Sequence, residues 1–150
     1  MSNHIIIVCF WAMIIAQGLK MPIYFLKTKK INFKIVFSTG AMPSSHSAVV
    51  SAATFMTGYL SGVDSVVFGV CFIFASIVIH DAIKVRGESG KQASAINLLA
   101  LEVKEIQEAI GDQENDLEFQ LKELIGHTLK EVVGGIIVGI CVAYFYILFI

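Results

Sequence analysis

Four long apolar stretches constrain this chain more than any other feature of its sequence. They run from about His4 to Leu19, from Ser44 to Leu60, from Val63 to Ile83 and from Gly126 to Ile150. A membrane-spanning helix needs roughly 20 apolar residues, so the last two stretches are long enough and the first two are close to the limit. The sequence therefore predicts an all-α, integral membrane helical bundle with about four transmembrane helices.

The composition also indicates a lipid environment. Hydrophobic residues make up 56% of the 150 residues, charged residues make up 15%, and the mean hydropathy is +0.76. Soluble domains carry about 25% charged residues. The net charge of −1 argues against a nucleic-acid partner. No repeat or low-complexity tract divides the chain, so residues 1–150 are predicted to form a single membrane-embedded domain.

Short patterns of small residues indicate how the helices pack. Only Ser61 to Asp64 separates the second stretch from the third, which predicts a tight helical hairpin. Small residues let membrane helices approach closely, and the fourth stretch carries Gly135 and Gly139 at the favourable spacing. We interpret this pair as a packing face within the bundle, with a homodimer contact as the alternative.

The distribution of charge predicts the orientation in the membrane. If all four stretches span, every Lys and Arg lies in the connections after the first and third spans, on one side of the membrane. Cytoplasmic loops carry an excess of Lys and Arg, so that side is predicted to be cytoplasmic, with both termini outside.

The cytoplasmic connection from Gln92 to Ile125 is predicted to contain an amphipathic helix. Its apolar residues recur at spacings of three and four, and they are Ile96, Leu99, Val103, Ile106 and Ile110. The acidic cluster from Asp112 to Glu118 lacks the ligand spacing of a calcium loop. We interpret it as a solvated turn.

Three polar clusters fall at the predicted cytoplasmic helix ends, and the first runs from Ser38 to Ala48. Its hydroxyl groups can cap the second helix, and the free amides of a helix N-terminus favour an anion. His46 stands one turn inside this helix, where it can donate a proton to a leaving oxygen. The alternative is that the hydroxyls only cap the helix and that His46 is an interfacial polar residue.

The second cluster runs from Asp81 to Gln92. Arg86 and Lys91 flank a glycine-containing segment that we interpret as a loop, and they are predicted to clamp phosphate because cations bind oxyanions strongly. Asp81 lies near the end of an apolar helix, where an unpaired charge is costly. It is predicted to pair with Arg86 or another cation. The alternative is that these basic residues only mark a cytoplasmic helix end.

The third cluster opens the last apolar stretch with His127 and Glu131, which are four residues apart and are predicted to lie on one face of the last helix. A carboxylate at this spacing can accept the proton of Nδ1, which leaves Nε2 free to attack an electrophile. Metal binding by these two residues together with His46 and Asp81 is the competing chemistry. No H-E-x-x-H or carboxylate-rich motif is present, so the sequence favours phosphoryl transfer without a metal.

These motifs resemble those of a known superfamily. Pro43-Ser44-Ser45-His46 resembles the P-S-G-H motif of the type-2 phosphatidic acid phosphatases and vanadium haloperoxidases. His127-x-x-x-Glu131 is similar to the end of the S-R-x5-H-x3-D motif, with Glu in place of Asp. The longer strings S-T-G-A-M-P-S-S-H-S-A, D-A-I-K-V-R and G-H-T-x-x-E-V resemble the divergent branch of that superfamily, which consists of small bacterial and plastid membrane proteins. The resemblance covers nearly the whole chain.

The resemblance implies hydrolysis of a lipid phosphate in a bacterial plasma membrane, without a metal or other cofactor. It implies that His127 attacks phosphorus, that Glu131 orients it, and that His46 protonates the leaving alkoxide and then activates water. Ser44, Ser45 and the neighbouring amides would hold the phosphate oxygens. A site on the cytoplasmic face suits phosphatidylglycerophosphate or phosphatidate better than an extracytoplasmic isoprenyl carrier lipid.

Two superfamily motifs lack a full match. Of the K-x6-R-P motif only the lysine has a near equivalent, Lys20, which is predicted to lie at the end of the first span. Leu121 stands where the S-R-x5-H-x3-D motif has its arginine. We infer that Arg86 and Lys91 replace the missing cations. The alternative function is a non-catalytic membrane protein that binds a phosphorylated lipid or a protein partner. Vanadate-dependent oxidation is a third, disfavoured reading, because nothing in the sequence indicates a secreted soluble oxidase.

Overall fold

The computed structural model describes residues 3–31, 35, 41–110, 121 and 127–150. Within these residues the chain is almost entirely helical and contains no strand, which confirms the predicted all-α class. The elements are α1 (His4–Thr28), α2 (Ser45–Ser61), α3 (Val66–His80), a π-helical turn (Asp81–Val85), α4 (Arg86–Ile110) and α5 (Leu129–Ile147).

Helix α2 is the centre of the bundle. It packs against α1, α3 and α5, and α1 also packs against α5. The buried core is built mainly from small side chains, including Ala12, Ala16, Ala48, Ala52 and Ala143. Lipid tails are as apolar as leucine side chains, so helices in a membrane associate through close packing. The alanine-rich core provides that packing.

The helices agree with residence in a membrane. Helix α1, the continuous helix from α3 into α4, and α5 are each long and apolar enough to span a bilayer. Helix α2 has 17 residues, and at a rise of 1.5 Å per residue it is about 25 Å long. That length is slightly less than the hydrocarbon thickness of about 30 Å. The predicted four spans therefore correspond to three candidate spans and one shorter central helix.

Helix α1 is longer than its first apolar stretch, His4 to Leu19, predicts. The apolar pattern resumes after Lys20, and the helix continues to Thr28, beyond which Lys29 takes a left-handed conformation (φ 57°) and caps the end. Lys20 was expected at the end of the first span. It lies inside the helix instead and is only 1% exposed.

The loop predicted between Arg86 and Lys91 is helical. Helix α3 runs through the π-turn directly into α4, and Lys91 Nζ pairs with Glu88 Oε1 at 2.8 Å on the surface of α4. Pairs three residues apart support a helix, whereas an interior glycine costs only about 1 kcal/mol relative to alanine. The helix continues through both glycines of this segment, because intrinsic helix preference is a weak determinant that the surrounding structure can override.

The predicted amphipathic helix is helical as far as Ile110. Four of its predicted apolar residues are exposed, namely Ile96, Leu99, Val103 and Ile106. The Asn97 amide bonds to both backbone groups of Leu121, at 2.9 and 2.8 Å, so the chain returns towards α4. The acidic cluster from Asp112 to Glu118 lies outside the described residues.

Two glycines bring α5 directly against α2. A Cβ atom on Gly135 would overlap the carbonyl oxygen of Ser44, and one on Gly139 would overlap the carbonyl oxygen of Ala48. The interpretation of this pair as a packing face within the bundle is confirmed, and the homodimer stays a prediction. Because the contact includes Ser44, it holds the N-terminal end of α2 beside the N-terminal end of α5.

Candidate functional site

His127 and Glu131 form a hydrogen-bonded pair at the start of α5. Nδ1 of His127 lies 3.1 Å from Glu131 Oε2, as the sequence predicts. The geometry differs from two positions on one helical face, because His127 precedes the helix and Thr128 is its N-cap. Glu131 is the third helical residue of a capping box in which the Thr128 side chain accepts the Glu131 amide. The capping box thus fixes the position of the Glu131 carboxylate, and this carboxylate also contacts the His127 imidazole.

The capping box also determines the tautomer of His127. Glu131 Oε2 accepts the backbone N–H of Thr128 at 3.0 Å, and an ionised carboxylate can only accept hydrogen bonds. With Glu131 ionised, Nδ1 of His127 is therefore the donor in this hydrogen bond. In the neutral imidazole the remaining nitrogen, Nε2, carries the lone pair.

That second nitrogen is the most unusual atom of the site. Nε2 of His127 is shielded from solvent and has no hydrogen-bond partner among the described residues. A buried polar atom left without a partner costs about 1–3 kcal/mol, and such atoms in native structures call for a functional or strain explanation. A lone pair held in a fixed direction without a competing donor is suited to nucleophilic attack.

His46 lies in the first turn of α2, close to this pair. Ser44 is the N-cap of α2, and its backbone N–H donates to the Glu131 carbonyl oxygen at 2.9 Å. Its hydroxyl accepts from the Ser47 hydroxyl at 3.0 Å, so Ser44 has a capping role. The phosphate contacts of Ser44 and Ser45 stay predictions. His46 itself is exposed on the surface of the helix end.

The cations predicted to hold phosphate divide into two groups. His46 interacts electrostatically with Arg86, Lys20, His127 and Asp81, and Lys20 interacts electrostatically with Glu131. Arg86 and Lys20 are therefore close enough to His46 for their charges to act on it. Lys91 is different, since its side chain is 76% exposed and pairs with Glu88.

Asp81 pairs with Arg86, as its position predicts. Arg86 Nε donates to Asp81 Oδ2 at 2.8 Å, and both side chains are partly exposed. This pair lies at the π-turn between α3 and α4, and the turn also contacts His127, two residues before α5. The carbonyl oxygen of Ala82 accepts the backbone N–H of His127 at 3.0 Å.

Two contributors to the site are absent from the sequence-based predictions. Residues Thr128 to Glu131 carry the T-x-x-E signature of a capping box. This signature indicates that Thr128 is the N-cap and that His127 precedes the helix. The Ala82 carbonyl carries no side-chain signal, because the bond depends on a backbone turn far away in sequence. Among the residues that the structure describes, no group of three or more His, Cys, Asp or Glu side chains gathers to hold a metal.

The fold and the site together define a class: a small helical membrane protein in which two histidines, a carboxylate and two cations converge at one end of the bundle. The chain belongs to the Divergent PAP2 family, whose sequence model matches residues 1–142. It is 38% identical to the uncharacterized membrane protein YuiD of Bacillus subtilis (strain 168), across 97% of this chain and 98% of that protein. No solved structure matches the chain. The family relationship indicates the phosphatase-related superfamily that the motifs resemble.

Proposed function

We propose that this protein removes a phosphate group from a membrane lipid by hydrolysis, through a phosphohistidine formed on His127. The observation that carries the proposal is the state of the His127 ring. Glu131 holds Nδ1 at 3.1 Å, and the opposite nitrogen, Nε2, is buried without a partner among the described residues. An incoming phosphorus atom would provide the missing partner.

In the first step, the Nε2 lone pair attacks phosphorus and the bond from phosphorus to the lipid oxygen breaks. His46 in its protonated form gives a proton to the departing alkoxide, so the lipid leaves as an alcohol or, from a diphosphate, as a monophosphate. The imidazole of His127 becomes positively charged as the phosphorus–nitrogen bond forms. The Glu131 carboxylate stabilises that charge.

In the second step, His46 in its neutral form accepts a proton from water, and the resulting hydroxide attacks phosphorus. The phosphorus–nitrogen bond breaks, inorganic phosphate leaves, and the electron pair returns to Nε2. His46 is then protonated and ready for the next lipid. Both steps therefore use the same two histidines: His127 is first the nucleophile and then the leaving group, and His46 is first the acid and then the base.

The charge of the phosphoryl group is balanced by the cations of the site. Arg86 and Lys20 both interact electrostatically with His46, which supports a role for them in binding phosphoryl oxygens. Ser45, at the first position of α2, contributes a hydroxyl and an amide near a helix N-terminus, which favours an anion. The exposed Lys91 would act at the rim.

An apolar groove supports a lipid as the substrate. It has a volume of about 320 Å³, runs along α2 between α3 and α5, and is lined by residues that include Ser51, Phe72, Ile79 and Ile140. Ser51 follows His46 by five residues, which is about 7 Å along the helix axis. Ser51 points to another side of α2 than His46, so the groove lies about one and a half turns from the proposed phosphate site and extends through the apolar part of the bundle, where an acyl chain would lie.

Filling the groove is expected to weaken the use of long-chain lipids. Ile140→Trp places a large ring in the groove and should raise KM for dioleoyl phosphatidate by about tenfold, equivalent to about 1.4 kcal/mol, with little change for dihexanoyl phosphatidate. The matched control is Ile137→Trp, on the same helix but outside the groove and 57% exposed. An equal effect of Ile140→Trp on both substrates would contradict acyl-chain binding in the groove.

We also propose a bacterial plasma membrane location with both termini outside and the site on the cytoplasmic face. All eleven Lys and Arg residues agree with this orientation if the four stretches span. Single cysteines introduced by Lys29→Cys and Ser61→Cys, after removal of Cys9, Cys71 and Cys141, allow a test by thiol labelling of intact cells. Labelling of position 29 from outside the cells would contradict the proposed orientation.

The direct test of the reaction uses the purified full chain in detergent. Phosphatidylglycerophosphate, phosphatidate and an isoprenyl phosphate are supplied in turn, and released inorganic phosphate is measured. We expect turnover of at least one lipid, inhibition by orthovanadate, which mimics pentacoordinate phosphorus, and no inhibition by EDTA. Inhibition by EDTA would support the competing metal chemistry.

The same assay tests the non-catalytic alternative. If no lipid releases phosphate while lipid phosphate still binds to the protein, the chain is a binding protein for phosphorylated lipids. That result would contradict the proposed hydrolysis while leaving the described geometry of the site in place.

A further inference from the structure

The π-turn between α3 and α4 changes the hydrogen-bond pattern beside the candidate site. The backbone N–H of Arg86 donates to the carbonyl oxygen of Asp81, five residues earlier. In a regular α-helix it would donate to Ala82, four residues earlier. Turns of this kind are rare, occur as local bulges in α-helices, and are frequent at functional sites.

The first consequence of the π-turn concerns the two charged side chains at its ends. In a regular α-helix, residues five positions apart point about 140° away from each other. The wider turn brings Asp81 and Arg86 onto the same side, where Arg86 Nε donates to Asp81 Oδ2 at 2.8 Å. The additional residue in the turn thus makes the ion pair possible.

The second consequence concerns the Ala82 carbonyl oxygen. Because the Arg86 amide bypasses it, this oxygen is available to another donor, and it accepts the backbone N–H of His127 at 3.0 Å. The π-turn therefore positions two groups of the site: Arg86 through the Asp81 side chain, and His127 through a hydrogen bond to its backbone.

The Arg86 guanidinium is also available for a ligand. Asp81 occupies its Nε edge, and no hydrogen bond of its two terminal nitrogens is found within the described part of the chain. The side chain is 40% exposed, and its charge acts on His46. Two parallel N–H groups in one plane match two oxygens of a phosphoryl group.

We propose that the π-turn at Asp81–Val85 is a positioning device for phosphate recognition, in which Asp81 fixes Arg86 so that its terminal nitrogens bind phosphoryl oxygens while the Ala82 carbonyl anchors His127. Asp81 is a positioning residue, since it acts through Arg86. The inference rests on the proposed function in one respect, namely that the bound phosphoryl group is the one that is hydrolysed. The recognition of a phosphoryl or vanadate oxyanion is a separate property and has its own measurement.

The kinetic test is a double-mutant cycle on the purified full chain with the best lipid phosphate. Asp81→Asn removes the carboxylate that fixes Arg86 and should raise KM by about tenfold, with a smaller change in kcat. Arg86→Lys keeps the charge but loses the two-point contact with the phosphoryl oxygens, and it should raise KM by at least as much. In the Arg86→Lys background Asp81→Asn should add little, because the two changes disrupt one interaction. Additive effects would contradict the positioning role.

A binding test separates this inference from the proposed hydrolysis. Orthovanadate should raise the thermal melting temperature of the wild-type protein, and Asp81→Asn and Arg86→Lys should each remove most of that shift. Lys84→Gln is the matched control: it removes an exposed cation of the same turn and should keep the full shift.

The outcomes are distinguishable. Loss of the shift in Asp81→Asn and Arg86→Lys without any lipid turnover in the wild type would contradict hydrolysis and retain the positioning role. Turnover by the wild type with an unchanged shift in both variants would contradict the positioning role and retain hydrolysis. An equal loss in Lys84→Gln would mean that only the summed charge of the turn matters, which also contradicts the inference.

Discussion

Replacing His127 by glutamine is expected to abolish phosphate release from the lipid substrate, with a loss of at least about 10³-fold in kcat. Glutamine can preserve a hydrogen bond to Glu131, but its amide nitrogen has no lone pair able to attack phosphorus. The measurement is the rate of phosphate release by the purified variant, together with acid-labile phosphate trapped on the protein during turnover. The variant should carry no trapped phosphate.

Two comparison variants make the His127 result specific. Glu131→Gln retains a residue that can complete the capping box but replaces the ionised carboxylate, so a loss of about 10²- to 10⁴-fold is expected, as for the carboxylate of a catalytic triad. His4→Gln changes a histidine at the opposite end of the bundle, where it contacts the Tyr146 hydroxyl, and should leave the rate unchanged. Unchanged turnover in His127→Gln would show that the nucleophile is another group.

Replacing Gly139 by alanine is expected to destabilise the whole bundle. The added Cβ would overlap the Ala48 carbonyl oxygen in the contact between α5 and α2, and overpacking of this kind costs about 1–3 kcal/mol. Because the same contact holds the N-terminal ends of α2 and α5 together, His46 and His127 should separate and turnover should fall as well. The measurement is the free energy of unfolding in mixed detergent micelles.

The same substitution at Gly69 is the matched control, because a Cβ atom there meets nothing within 4 Å. In that position the intrinsic helix preference of alanine should stabilise the protein by up to about 1 kcal/mol. Opposite signs at the two sites are therefore expected. If Gly139→Ala instead left stability unchanged and altered the oligomeric state, the glycine pair would serve the homodimer contact.

Much of the fold follows from local sequence. The second apolar stretch ends within one residue of α2, and the small residues of its core are those expected where membrane helices touch. The pairing of His127 with Glu131 and of Asp81 with Arg86 was also predictable, because each pair consists of opposite or complementary groups that are close in sequence and costly to leave alone in an apolar setting.

The features that escaped prediction depend on contacts between distant segments. The segment around Gly87 was interpreted as a loop because glycine is a poor helix former, yet the helix continues from α3 through it. The π-turn at Asp81–Val85 involves an Ala82 carbonyl that bonds to His127, and no periodicity in the chain encodes that bond. The burial of Lys20 likewise results from the helices packed around α1.

The order of the helices has a consequence for biosynthesis. His46 and Arg86 come from the first two thirds of the chain, but His127 and Glu131 enter with α5, whose glycines must dock on α2 before the ends of the two helices meet. In the proposed reaction, a chain that is still emerging from the ribosome therefore has α1, α2 and α3 inserted in the membrane but lacks the proposed nucleophile, His127. If His127 is the nucleophile, newly made protein acts on lipid phosphates only after the last helix is inserted and packed.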